Sequence, residues 1–248
     1  MRTSPLFSNI ETGEAYYDAE KATYKGVCLK TFILLGITII MAAAVYFYLP
    51  AIIINGRLAS FSAVLIVALI VGFISVLVGR MNERASKVAS IIYSISEGLV
   101  IGAISVISEI TTNIEGVVAI ALAGTLIVFA TMLILFATGI IRVGTRFRSF
   151  MLAFVFAIIP ILIITIVASF VVQDVKTYLG IMIAVEIFYL AYGIFCLLLN
   201  FKEAQMVVDS GCSKNAEWSV SLGLMVSLVY IYLELLRLIT YITAINRE

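Results

Sequence analysis

Seven stretches of roughly twenty residues, apolar over nearly their whole length, decide what this chain can become. They run at about 28–49, 60–79, 88–107, 117–138, 150–172, 178–199 and 222–244. An α-helix rises 1.5 Å per residue, so about 20 apolar residues cross a hydrocarbon core of ~30 Å. That core holds no water for peptide groups, and a helix satisfies each of them within itself. The sequence therefore predicts an all-α polytopic membrane bundle of seven transmembrane helices. Composition agrees: 63% of the 248 residues are apolar and 12% are charged, against about half and about a quarter in a soluble domain. The connections hold turn and polar residues: Pro50, Asn55-Gly56, Arg80 to Lys87, Gly139 to Ser149, and Gln173 to Lys176. The longest connection, 200–218, is also polar.

The first 26 residues are polar and mixed in charge, and they lack the apolar run and cleavage site of a secretory signal. They are expected to form a cytoplasmic arm, with 27–248 as a single transmembrane domain. Basic residues set the direction of insertion, because cytoplasmic loops carry the excess of Lys and Arg. With the N-terminus inside, the inner segments hold Arg2, Lys21, Lys25, Arg80, Arg84, Lys87, Arg142, Arg146, Arg148, Lys202 and Lys214, eleven in all. The outer segments hold three: Arg57, Lys176 and Arg247. The expected topology is N-terminus cytoplasmic and C-terminus outside. Six spans with a re-entrant last segment is the alternative, since Glu234 and Arg237 make the seventh stretch the most polar.

Several chemistries are excluded. There is no histidine, which removes the commonest metal ligand and the usual general base near neutral pH. The three aspartates, Asp18, Asp174 and Asp209, lie outside the spans, so no aspartate pair for intramembrane proteolysis exists. No glycine-rich phosphate loop carries a lysine. The chain is expected not to be an enzyme and to need no cofactor. Its net charge of +1 points to no nucleic acid. Cys28, Cys196 and Cys212 form no CxxC pair and are read as thiols.

Small residues recur at Ser94, Gly98 and Gly102 on the third span, a spacing that lets a neighbouring helix approach closely. Pro160 should kink the fifth helix or free a carbonyl near Phe156. Four ionisable side chains stand out within apolar spans: Glu97, Glu186, Glu234 and Arg237. A charge at the bilayer centre costs at least ~2.5–3.5 kcal/mol on insertion scales, so such residues face the bundle interior or find a partner. Glu234 and Arg237 are three apart and share a helix face. They either neutralise each other and lock the packing, or leave Glu234 to titrate in a water-accessible cavity and gate a cation. Glu97 is read as a cross-helix hydrogen bonder or a functional carboxylate, and Glu186 first as a packing or lipid-interface residue. The basic set Arg142, Arg146 and Arg148 determines topology or meets anionic headgroups.

The C-terminal third carries a resemblance. LLLNFKEAQMVVDSGCSKNAEW, from Leu197 to Trp218, and YLELLRLITYI, from Tyr232, resemble the Bax inhibitor family, in its bacterial YccA-like branch. The opening MRTSPLFSN, the EGLVIGAIS of the third span and the IRVGTRFR before the fifth resemble it too. The resemblance implies one helix surrounded by six others in a bacterial plasma membrane. It also implies a pH-sensitive calcium leak, latched by two carboxylates that share a proton, one ending the sixth helix and one in the seventh. Glu234 stands at the seventh-helix position. The sixth-helix position falls on Asn200, where the family pattern has an aspartate, and Lys202 and Gln205 replace two further acidic places. Asn200 can hydrogen-bond Glu234 but supplies no second titration. Lys202 nearby would favour an ionised Glu234 and repel a divalent cation.

Three functions follow as expectations. One is a cation leak channel or ion-homeostasis protein for calcium or another cation, with Glu234 at its gate. The second is a non-conducting protein that restrains a membrane protease complex through the arm 1–26. The third, a proton-coupled transporter, would need carboxylates on broken helices, for which only Pro160 offers a hint.

Overall fold

A computed structural model describes residues 21–56, 58–113, 116–140 and 143–247. Most of the N-terminal arm lies outside the described residues, as do Arg57 and Arg142 and the side chains of Arg146 and Arg148. The seven expected spans become seven helices: α1 Tyr24–Ile54, α2 Leu58–Met81, α3 Glu83–Thr112, α4 Val117–Ala137, α5 Thr145–Val171, α6 Val175–Asp209 and α7 Ala216–Ile245. Each is long and apolar enough to cross a membrane. The seventh is one continuous helix of 30 residues, so a re-entrant last segment is not what the chain forms. Beyond the helices, the described residues show an isolated antiparallel bridge between Lys21 and Ser213.

Most helices outrun their apolar stretches, because a helix needs backbone hydrogen bonds and not apolarity to continue. The largest departure is α6, which extends ten residues into the polar stretch 200–218 and leaves a short loop before α7. Asn200 to Asp209 contains no proline or glycine to stop it. Pro50 likewise lies inside α1, which continues to Ile54, and α5 runs through Pro160. A membrane helix tolerates proline where neighbours re-satisfy the freed backbone groups.

Side-chain caps start three helices. The Thr23 side chain accepts from Gly26 N–H at 3.0 Å before α1. Asn82 Oδ1 accepts from Arg84 N–H at 3.0 Å before α3, and Asp174 Oδ2 accepts from Thr177 N–H at 2.8 Å before α6. Each satisfies one of the amide donors that a helix start leaves without an internal partner.

The chain divides into two compact units, 1–103 with 203–225, and 104–202 with 226–248. Helices α3 and α7 are the buried ones: 61% of the most apolar part of each is covered, against 6–28% for the other five. In the first unit α1 and α3 run in the same direction, and the predicted small-residue face is their contact. A Cβ on Gly98 would fall 2.6 Å from Met41 Cβ and 2.7 Å from the Thr38 carbonyl oxygen, and one on Gly102 would fall 2.6 Å from the Ala42 carbonyl oxygen. Thr38 Oγ1 donates across this contact to the Ser94 carbonyl at 3.2 Å. In the second unit, phenylalanines on α4, α5 and α6 pack together, with Phe154 and Phe188 stacked at 4.7 Å.

Candidate functional site

Glu186 lies on α6, and Glu234 and Arg237 lie on α7. All three fall in the second unit. Arg237 donates through Nη2 to Glu234 Oε1, and its Nη1 stands 3.6 Å from Glu186 Oε1. Glu234 is 1% exposed and Glu186 is 4% exposed, whereas the Arg237 side chain is 46% exposed. The guanidinium thus closes over two buried carboxylates from the outside. Helices α6 and α7 approach closely because Gly193 lacks a side chain: a Cβ there would fall 2.6 Å from Tyr230 Cδ1. Tyr230, one turn before Glu234, also meets Tyr192 edge to face at 6.0 Å.

Each carboxylate directs one oxygen at Arg237. The second oxygens, Glu186 Oε2 and Glu234 Oε2, are buried and accept no hydrogen bond. Two carboxylates against one guanidinium leave one negative charge when all three are ionised. A buried charge is costly unless it is balanced. A proton shared by the pair, or a further cation, supplies that balance.

The sequence-predicted residues do not all gather here. Asn200 donates to Ser227 Oγ at 2.6 Å, two turns of α7 before Glu234, so the expected Asn200–Glu234 pairing is replaced by Glu234 with Arg237 and Glu186. The reason is register. Asn200 follows Glu186 by fourteen residues on α6, about 21 Å of helix rise. Lys202 is further still, about 24 Å along the same helix, and is not the charge beside Glu234. Glu186, expected to pack or to meet lipid, is the sixth-helix carboxylate that Arg237 joins to Glu234. Glu97 is partly buried on α3 in the first unit. It faces Gly72 of α2, where a Cβ would stand 3.9 Å from its Oε2.

A second charge cluster, in the first unit, was not legible in advance. Glu217, the second residue of α7, is 1% exposed. It accepts from Thr23 N–H at 2.7 Å, from the Thr23 hydroxyl at 3.2 Å and from Lys30 Nζ at 2.6 Å. Its carboxylate occupies the space over Gly26, where a Cβ would fall 2.2 Å from either oxygen. Lys30 also donates to the Lys214 carbonyl at 2.9 Å and sits 5.0 Å from the centre of the Trp218 ring. Around this centre, Arg80 pairs with Glu203 at 2.9 Å, Ser213 donates to Glu83 at 3.0 Å, and Tyr24 donates to Asp209 at 2.9 Å. Lys30 falls inside the first apolar stretch and Glu217 in a polar connection. The one signal was a lysine near the start of a span with no acid close to it in sequence.

The family model described as Bax inhibitor 1 like matches residues 4–244. The chain belongs to the Bax inhibitor 1-like family. No curated protein and no solved structure matches it. Membership covers nearly the whole chain and so all seven helices of this Bax inhibitor-like membrane protein. In the structure the α6 residue that Arg237 joins to Glu234 is Glu186, fourteen residues before Asn200.

Proposed function

We propose that this Bax inhibitor-like protein is a pH-influenced cation leak channel of a bacterial plasma membrane, N-terminus inside, gated at Glu186, Glu234 and Arg237. One observation carries the reading. Two buried carboxylates from different helices share one guanidinium, and each keeps a buried oxygen without a hydrogen-bond partner. A pair locked only for packing would be neutral with a single glutamate. The second glutamate adds a negative charge that a proton balances in one state and a permeating cation, calcium among them, balances in another. Protonation then favours the closed arrangement, and its loss favours cation entry.

The test is calcium flux through the purified full-length protein in proteoliposomes, from mildly acidic to mildly alkaline pH, beside Glu234→Gln. The reading expects flux above empty vesicles that changes with pH, and a flattened pH response in the variant. Flux equal to empty vesicles at every pH refutes it.

A second reading, a non-conducting protein that restrains a membrane protease complex, draws support from the root of the arm. Ala22 N–H donates to the Cys212 carbonyl at 2.9 Å and Thr23 is held by Glu217, so the arm starts from a fixed place beside the α6–α7 loop. Pull-down with the full chain and with a chain lacking 1–20 tests it. Identical partner sets remove the arm from this role.

A further inference from the structure

We propose that the N-terminal end of α3 holds an anionic phospholipid, with its headgroup on Arg84 and Lys87 beside Trp218 and an acyl chain along α3 below them. This is independent of ion conduction.

Three observations converge. The first is unbalanced charge. Lys30 and Lys87 both approach the Trp218 ring, at 5.0 and 5.8 Å from its centre. Lys30 is matched by Glu217. Arg84 and Lys87 are exposed, and among the described residues neither makes an ion pair. Glu83, one turn before Lys87, accepts instead from Ser213.

The second is the continuation of this face. Positions 84, 88, 92 and 95 follow one another at helical spacing, and Lys87 lies one turn after Arg84. Val88 is 61% exposed, and Ile92 and Ile95 are about two-fifths exposed. A basic end therefore leads directly into an apolar stripe on the same helix. A free anion would use the first part alone, whereas a phospholipid uses both, and that commits the site to a lipid.

The third is the shape of the place. Helices α1 and α3 touch through Gly98 and Gly102 in mid-span. Nearer their starts the half-buried Trp218 of α7 lies between Lys30 of α1 and Lys87 of α3. Indole rings favour the level of lipid headgroups, and Lys and Arg near a membrane surface attract anionic lipids.

Trp218 is the chain's one tryptophan, so its fluorescence reports the site directly. Full-length protein is reconstituted in phosphatidylcholine containing a small fraction of phosphatidylglycerol with brominated chains, or the same fraction of brominated phosphatidylcholine. Bromine quenches an indole only at contact. The wild type should be quenched several-fold more effectively by the anionic lipid. Arg84→Gln with Lys87→Gln, compared at matched helix content by circular dichroism, should lose most of that several-fold preference. Lys176→Gln, at the start of α6, should retain it. Equal quenching of the wild type by both lipids overturns the proposal, as does an unchanged preference in the double variant. Inorganic phosphate should not relieve quenching by brominated phosphatidylglycerol. Relief that depends on Arg84 and Lys87 would mean a free-phosphate site and overturn the lipid assignment.

Discussion

Removing the Glu217 carboxylate should destabilise the first unit measurably. In Glu217→Ala, Lys30 loses its 2.6 Å partner and Thr23 N–H loses its 2.7 Å acceptor. Breaking a buried ion pair from one side costs about 3–5 kcal/mol. Two features place this case below that range. Glu217 is the second residue of its helix, and the Lys30 side chain is 12% exposed, so water reaches the orphaned ammonium. Lys30 also keeps the Lys214 carbonyl and the Trp218 ring. About 2–3 kcal/mol remains as the expected loss. At roughly 2–4 °C per kcal/mol for a chain of this size, apparent Tm should fall by about 4–12 °C. Glu217→Gln, which keeps an acceptor for Thr23, should lose about half as much. The assay is thermal unfolding of the full-length protein in lipid nanodiscs at one fixed scan rate, since membrane-protein unfolding is often irreversible and its midpoint depends on rate. A double-mutant cycle with Lys30→Met isolates the pair. A Glu217→Ala midpoint within a degree of the wild type, or strictly additive effects of the two substitutions, would refute the reasoning.

The α1–α3 contact should reject a side chain at Gly98: Gly98→Ala is expected to lose about 1–3 kcal/mol of stability through overpacking. Gly36→Ala, with nothing within 4 Å of the new Cβ, should be neutral or better in the same unfolding assay. Arg237→Leu should cost about 3–5 kcal/mol because it leaves two buried carboxylates facing each other, and adding Glu234→Gln should recover part of that loss. The Thr177 hydroxyl and backbone N–H hold the Asp174 carboxyl below the usual carboxylate range. Its folded pKa lies below the unfolded one, so the cap's contribution is complete above the unfolded value and is lost as pH falls through the folded value. Protection of the Thr177 amide, taken relative to its intrinsic exchange rate at each pH, should fall only on that acid side. Unchanged protection through the acid titration would remove the cap from the account.

The helices were legible because apolar length and backbone self-satisfaction leave a membrane segment little choice. The Gly98 and Gly102 contact was legible for a similar reason: small residues at four-residue spacing mark a close approach whatever the partner. Helix ends were not. Apolarity ends at Leu199 in the sixth stretch while the helix runs on to Asp209, because the membrane boundary and the helix boundary answer to different forces. Of the four charges read as out of place, Glu186, Glu234 and Arg237 meet in one cluster of the second unit, and Glu97 belongs to the first unit. The pairing of Glu186 with Glu234 depends on the register of α6 against α7, fixed by Gly193 and Tyr230, and register leaves no trace in hydropathy. Lys30 and Glu217 are 187 residues apart, and only tertiary structure joins them.

The central claim is that Glu186 and Glu234 act as one site, and a double-mutant cycle on cation flux tests it most directly. Calcium flux is measured in proteoliposomes across pH for the wild type, Glu186→Gln, Glu234→Gln and the double variant. Residues in contact show interaction free energies of about 0.5–3 kcal/mol, whereas separated sites add. The account predicts that either single substitution removes most of the pH dependence and that the second adds little. Two independent, additive effects, or flux indifferent to both carboxylates, would contradict it.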